Sequence, residues 1–189
     1  MGQTGKAVAV FAVVLMAAHA EAADDTGQPL LRVRVDNQAA VPGAVLRFAE
    51  ARAGQVFREA GVLIEWVSED EAIRRHVRAD LTVLVMAEAP AKLKAAAEHL
   101  GLDVMGQGAP VAARAYIYYD RIAAAVTSPH RDVVTVLGDV MAHELGHLLL
   151  PPGHSSIGIM RPQIDMMSRT LATFTKDEAA EIRRRLASD

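Results

Sequence analysis

The chain has 189 residues, of which 51% are hydrophobic but only 4% aromatic, with no cysteine and a formal net charge of −3. That length suffices for one compact domain with its own core. The missing thiols exclude a disulfide framework, a thiolate metal site and a cysteine nucleophile, and the mixed charge, without a basic stripe, argues against a nucleic-acid partner.

Residues 1–23 have the layout of a secretory leader. Lys6 supplies a positive start, Ala7 to Ala18 (AVAVFAVVLMAA) form the apolar run, and Ala18, Ala20 and Ala22 offer small-x-small cleavage sites. The run is short for a membrane span. The mature chain, residues 24–189, is therefore expected to be secreted or periplasmic, one domain without stable membrane insertion.

Leu30 to Asp36 (LLRVRVD) alternates apolar and polar residues, the period of a half-buried strand. Pro42 fits the first turn of a helix carrying Leu46, Ala49, Ala53, Val56, Phe57 and Ala60 on one face and stopping at Gly61. Val62 to Val67 reads as a second strand. Asp80 to Ala87 (DLTVLVMA) reads as a third, apolar enough to be central. Ala91 to Leu100 has helical composition, Gly106, Gly108 and Pro110 mark a loop, and Ala112 to Tyr119 (AARAYIYY) is a fourth strand. Asp132 to Leu150 has the length and pattern of a buried helix. Thr175 followed by Glu178 is a capping-box pattern opening a last helix to Leu186, and Arg183, Arg184 and Arg185 read as its solvated, dipole-complementing end. This order predicts an α/β architecture, one sheet with the buried helix packed on a face.

The chemistry concentrates in His143-Glu144-Leu145-Gly146-His147. Residues four apart share a helix face, so both imidazoles can reach one ion, and neutral imidazole suits zinc. Glu144, beside the first ligand, is expected to be the general base towards a metal-activated water. Three polar side chains on an otherwise core-directed helix would be costly unless each were satisfied. A third ligand is needed to leave one position open for water. Pro151 forces the helix to end near Leu150, Gly153 allows a turn, and His154 should emerge from it beside the other two, with all three nitrogens within about 4 Å of one another. Met160, in Gly158-Ile159-Met160, is placed to form an apolar floor. His76, His99 and His130 lack ligand spacing, and His19 belongs to the leader.

HELGHLLLPPGH followed by GIM resembles the metzincin clan of zinc peptidases, whose pattern is H-E-x-x-H-x-x-G-x-x-H with a downstream Met-turn. VLIEWV, AYIYYDR and GIMR are similar to segments of small exported bacterial proteins of that type. The clan's glycine would fall at Leu150 and its third histidine at Gly153, so His154 stands one residue late. Arg161 and Pro162 follow the methionine where some members have a tyrosine. The resemblance implies a metzincin-like fold, with one mixed, twisted sheet of about four to five strands, a backing helix, the HExxH helix and a C-terminal helix. It implies bound Zn2+, hydrolysis of a peptide or protein substrate, and an edge strand that pairs with extended substrate. Ala112 to Tyr119 is the expected edge; Tyr116, Tyr118 and Tyr119 are candidates to line the cleft, against the plainer reading of ordinary strand tyrosines.

Three other readings compete. A gluzincin-like site would take a carboxylate as third ligand, from Asp165, Glu178 or Glu181. A non-catalytic zinc-stabilised binding module would close the fourth position with a protein ligand. An amidase acting on cell-wall peptides would use the same chemistry on another amide. Nothing in the sequence speaks to oligomeric state.

Overall fold

The computed structural model describes residues 27–91, 105–126, 132–163 and 170–188. The expected leader, the expected helix beyond Ala91, and His19, His99, His130 and Asp165 lie outside the described residues.

In chain order the elements are β1 (Leu30–Asn37), α1 (Gly43–Glu59), β2 (Leu63–Ser68), α2 (Glu69–Arg75), β3 (Leu81–Met86), β4 (Gly106–Ala109), β5 (Arg114–Tyr118), α3 (Tyr119–Ala125), α4 (Val133–Leu149) and α5 (Lys176–Leu186). The sheet order is β2-β1-β3-β5-β4. β1, β2, β3 and β5 run parallel, and β4 joins β5 antiparallel. The sheet is therefore mixed, and β3 is central, as its apolar run predicts. The alternating residues Leu31, Val33 and Val35 of β1, Leu81, Val83 and Val85 of β3, and Ala115 and Ile117 of β5 are all buried. They form one core with the inward faces of α1 and α4.

Three elements depart from the expected layout. Ser68 ends β2 and caps α2, accepting the Glu71 N–H at 3.2 Å. α3 follows β5 directly, so the helix begins at Tyr119, where the sequence reads as strand. The segment expected to be a loop at Gly106 and Gly108 is strand β4, followed by a 3-10 turn over Pro110–Ala112. β4 is thus the outer strand, and β5, the expected edge, lies inside the sheet.

The position of α4 depends on a close crossing with α1. A Cβ on Gly138 would stand 2.8 Å from both the Ala49 carbonyl oxygen and the Arg52 Cβ, so the absent side chain lets the helices meet. Arg52 then lies over Asp139, donating from Nε to Oδ1 at 2.8 Å and from Nη2 to Oδ2 at 3.0 Å. Burial pushes the Asp139 carboxyl up, and the Arg52 guanidinium opposes it. α5 closes the other end through Ala179 and Ile182. Its Arg183 donates to the Ala60 carbonyl at the end of α1, and its stem covers Gly61, whose φ is +78°. The arginine run is therefore not wholly solvated; Arg183 holds two helices together, and Arg184 pairs with Glu181. Among the described residues, no helix is long and apolar enough to cross a membrane.

Two outcomes follow for stability. Arg52→Ala should lower it by about 3–5 kcal/mol, because the charge of Asp139 stays buried without its partner, whereas replacing both residues with apolar ones of similar volume should restore most of the loss; denaturant titration checks both. On α1, burial raises the Glu50 carboxyl from 4.5 to about 7, against Arg47, which lowers it. A raised folded value means stability present below the unfolded value and lost as pH rises through about 7. Glu50→Gln should accordingly raise the unfolding midpoint at pH 8 and leave it nearly unchanged near pH 4.5.

Candidate metal centre

α4 starts at Asp132, whose carboxylate accepts the N–H groups of Val134 and Thr135. It stops at Leu150, which is extended ahead of Pro151. His143 and His147 project from successive turns of one face, with their Nε2 atoms 3.0 Å apart. The turn Pro151-Pro152-Gly153, with Gly153 at φ +142°, returns the chain towards them. The His154 ring centroid lies 5.3 Å from that of His143 and 4.8 Å from that of His147. Each of the three offers one ligand nitrogen, and these nitrogens all lie within 4.8 Å of one another, a group that could hold a metal ion. The helical pair meets the expected spacing, and the set as a whole is looser than about 4 Å. The wider separation involves His154, which sits exposed on the loop.

The donor set fits a metal. His143 donates from Nδ1 to the Ile159 carbonyl oxygen at 2.7 Å, which leaves the lone pair on Nε2. That lone pair faces the Nε2 of His147, an arrangement that calls for a proton or a cation between them. Two imidazoles on one tetrahedral zinc would stand about 3.3 Å apart, close to the separation seen. Burial is the main cause lowering His143, and burial followed by the neighbouring imidazoles lowers His147 to about 4. Both are neutral near pH 7, the form that binds metal.

Glu144 points from the same helix towards β4. It is buried, and burial pushes its carboxyl up to about 8, against a hydrogen bond from the Gly108 backbone that lowers it. β4 can lie this close because its inward positions are glycines. A Cβ on Gly106 would stand 2.6 Å from Cγ of Glu144, and one on Gly108 would stand 2.8 Å from Cβ of His147. The packing at Gly146 is equally tight. Met160 is buried with its sulfur against Gly146, where a Cβ would collide with it.

Two of the three carboxylates of the gluzincin-like reading are engaged elsewhere. Glu178 accepts the Ser155 hydroxyl on Oε1 and the Thr175 N–H on Oε2. Glu181 pairs with Arg184, and Asp165 lies outside the described residues. Tyr116 and Tyr119 are not gathered at the histidines, whereas Tyr118 lies near enough to Glu144 that burial, and then that carboxylate, push its hydroxyl up. Tyr116 pairs in register with Gln107, on the sheet face opposite the glycines that meet α4. Tyr118 is buried, with its hydroxyl 3.5 Å from Gln107 Oε1, and Tyr119 opens α3. The roles of Gly106, Gly108 and the Ile159 carbonyl carry no chemical signature in the sequence. The sole local trace is the G-x-G spacing, which puts two glycines on one strand face.

No family model and no curated protein matches the sequence. Among solved structures, the chain is similar to the archaemetzincin of Methanopyrus kandleri, with a TM-score of 0.52 and 16% identity over 83% of this chain and 96% of that one. It also aligns with a zinc-dependent peptidase from Methanocorpusculum labreanum, at a TM-score of 0.48 and 14% identity over 82% of this chain and 99% of that one. The first likeness shows that this chain's mixed five-stranded α/β fold is similar to that of the archaemetzincin.

The glycine contacts give a graded expectation. Gly106→Ala and Gly108→Ala should each cost about 1–3 kcal/mol, since the added methyl forces β4 off the helix. Gly54→Ala, on α1, puts its methyl at an ordinary 3.5 Å from Trp66 Nε1 and should be neutral or stabilising by up to about 1 kcal/mol. Parallel urea titrations of the three variants check the order.

Proposed function

We propose that the protein is a zinc-dependent peptidase of metzincin type, with His143, His147 and His154 as metal ligands and Glu144 as general base. The observation that carries the reading is the gathering of three imidazoles beside a buried carboxylate, at the lip of an outer strand. The ion, when bound, would acidify a water, polarise the scissile carbonyl and favour the ionised form of Glu144 despite its burial.

The chain's own groups supply the rest. The Ile159 carbonyl fixes the tautomer and plane of the His143 ring. The Gly108 N–H orients the Glu144 carboxylate, which takes the proton from the attacking water and passes it to the leaving amine nitrogen. Met160 and Gly146 exclude water from below the histidines, as a Met-turn would. β4 pairs with β5 on one side, and its other edge can pair with an extended peptide substrate by strand addition. The leader-like residues 1–23 support an exported, secreted or periplasmic setting for the domain that follows.

Glu144→Gln tests the reading directly. It should retain one zinc per chain while hydrolysis of a mixed peptide library falls by about 10²–10⁴-fold. His147→Ala should lose both zinc and hydrolysis. Bound zinc with no hydrolysis by the wild type would instead favour the zinc-stabilised binding module, and cleavage of cell-wall peptides alone would favour the amidase.

A further inference from the structure

Glu178 lies on α5, 31 positions after His147 in the sequence, yet its carboxylate reaches the loop that carries the third histidine. One oxygen, Oε2, accepts the Thr175 backbone N–H at 2.7 Å, and the Thr175 hydroxyl accepts the Glu178 N–H at 3.3 Å. This capping box holds the side chain rigidly at the start of the helix. Its other oxygen, Oε1, accepts the hydroxyl of Ser155, the residue next to His154. Ser155 is fixed a second time, because its N–H donates to the Met160 carbonyl at 2.9 Å. The intervening Ile159 donates its N–H to the Thr173 carbonyl at 2.9 Å, and its carbonyl accepts from His143. The 155–160 loop is thus a closed turn, anchored to α5 at Ser155 and to the stretch before α5 at Ile159. One end of that turn carries His154, and the other orients His143.

We propose that Glu178 is a positioning residue for the metal centre, setting His154 through the Ser155 hydroxyl. The role rests on the metal-ligand reading above. A capping box needs only the Thr175 partner; the second bond, to a residue adjoining an exposed histidine, serves no purpose for the helix end itself. His154 follows a turn of two prolines and a glycine at positive φ, and the neighbouring clamp restricts where such a turn can deliver its imidazole. Partners that orient metal ligands typically contribute 10–100-fold to affinity.

The test is zinc affinity of the purified full chain, read by competition with a chromogenic chelator, beside the urea midpoint of the metal-free protein. Ser155→Ala should weaken zinc binding by about 10–100-fold, more than any change in the metal-free midpoint explains. Ser155→Thr, which keeps the hydroxyl, should restore affinity to within about threefold of wild type. Adding Ser155→Ala to Glu178→Ala should weaken binding little further, because the two side chains make one contact. Wild-type affinity in Ser155→Ala, failure of the threonine to rescue, or additive losses in the double variant would each overturn the role while leaving the metal centre intact. A wild type that binds no zinc would remove the metal centre and this role together.

Discussion

A helix buried on almost every side carries four ionisable side chains, and the fold is arranged around satisfying them. Asp139, His143 and Glu144 on α4 are buried, and His147 is half-buried. Leaving any of these groups without a partner would cost a large fraction of a domain's net stability. Each partner comes from a different part of the chain: Arg52 from α1 for Asp139, the Ile159 carbonyl for His143, the Gly108 N–H for Glu144, and the facing imidazoles for His147. Meeting the polar requirements of α4 therefore fixes where α1, β4 and the 155–160 loop must lie.

Close approach makes these partnerships possible, and glycine makes close approach possible. Gly138 admits α1, Gly106 and Gly108 admit β4, and Gly146 admits the Met160 sulfur. At each position a methyl group would meet a neighbour well inside van der Waals distance. The core is mostly Val, Leu, Ile and Ala, and Phe57 packs edge-on against Phe174 with ring centres 5.0 Å apart.

Much of this was legible in the sequence where the signal is local. The alternating strands, the central position of β3, the HExxH helix with its stop before Pro151, and the Thr175–Glu178 capping box each depend on residues within a few positions of one another. Features set by distant partners were not. Gly106-Gln107-Gly108 reads as a loop by composition, because glycine is poor strand material; it is a strand since only glycine fits beneath it. That strand displaces β5 from the expected edge. Asp139 gave no hint of its partner, Arg52, 87 positions away. Tyr119 looked continuous with β5, yet the chain turns into α3 there. Glu178 has an evident role as a cap, and that role hid its second bond to Ser155.

The claim on which the account turns is that one ion sits among three imidazoles with Glu144 beside it. Anomalous diffraction recorded on either side of the zinc absorption edge, from crystals of protein purified without chelator, addresses it most directly. A single strong zinc peak is expected at bonding distance from Nε2 of His143, Nε2 of His147 and a ring nitrogen of His154. A peak ligated by a carboxylate in place of His154, or no peak at full occupancy in protein supplied with zinc, would contradict it.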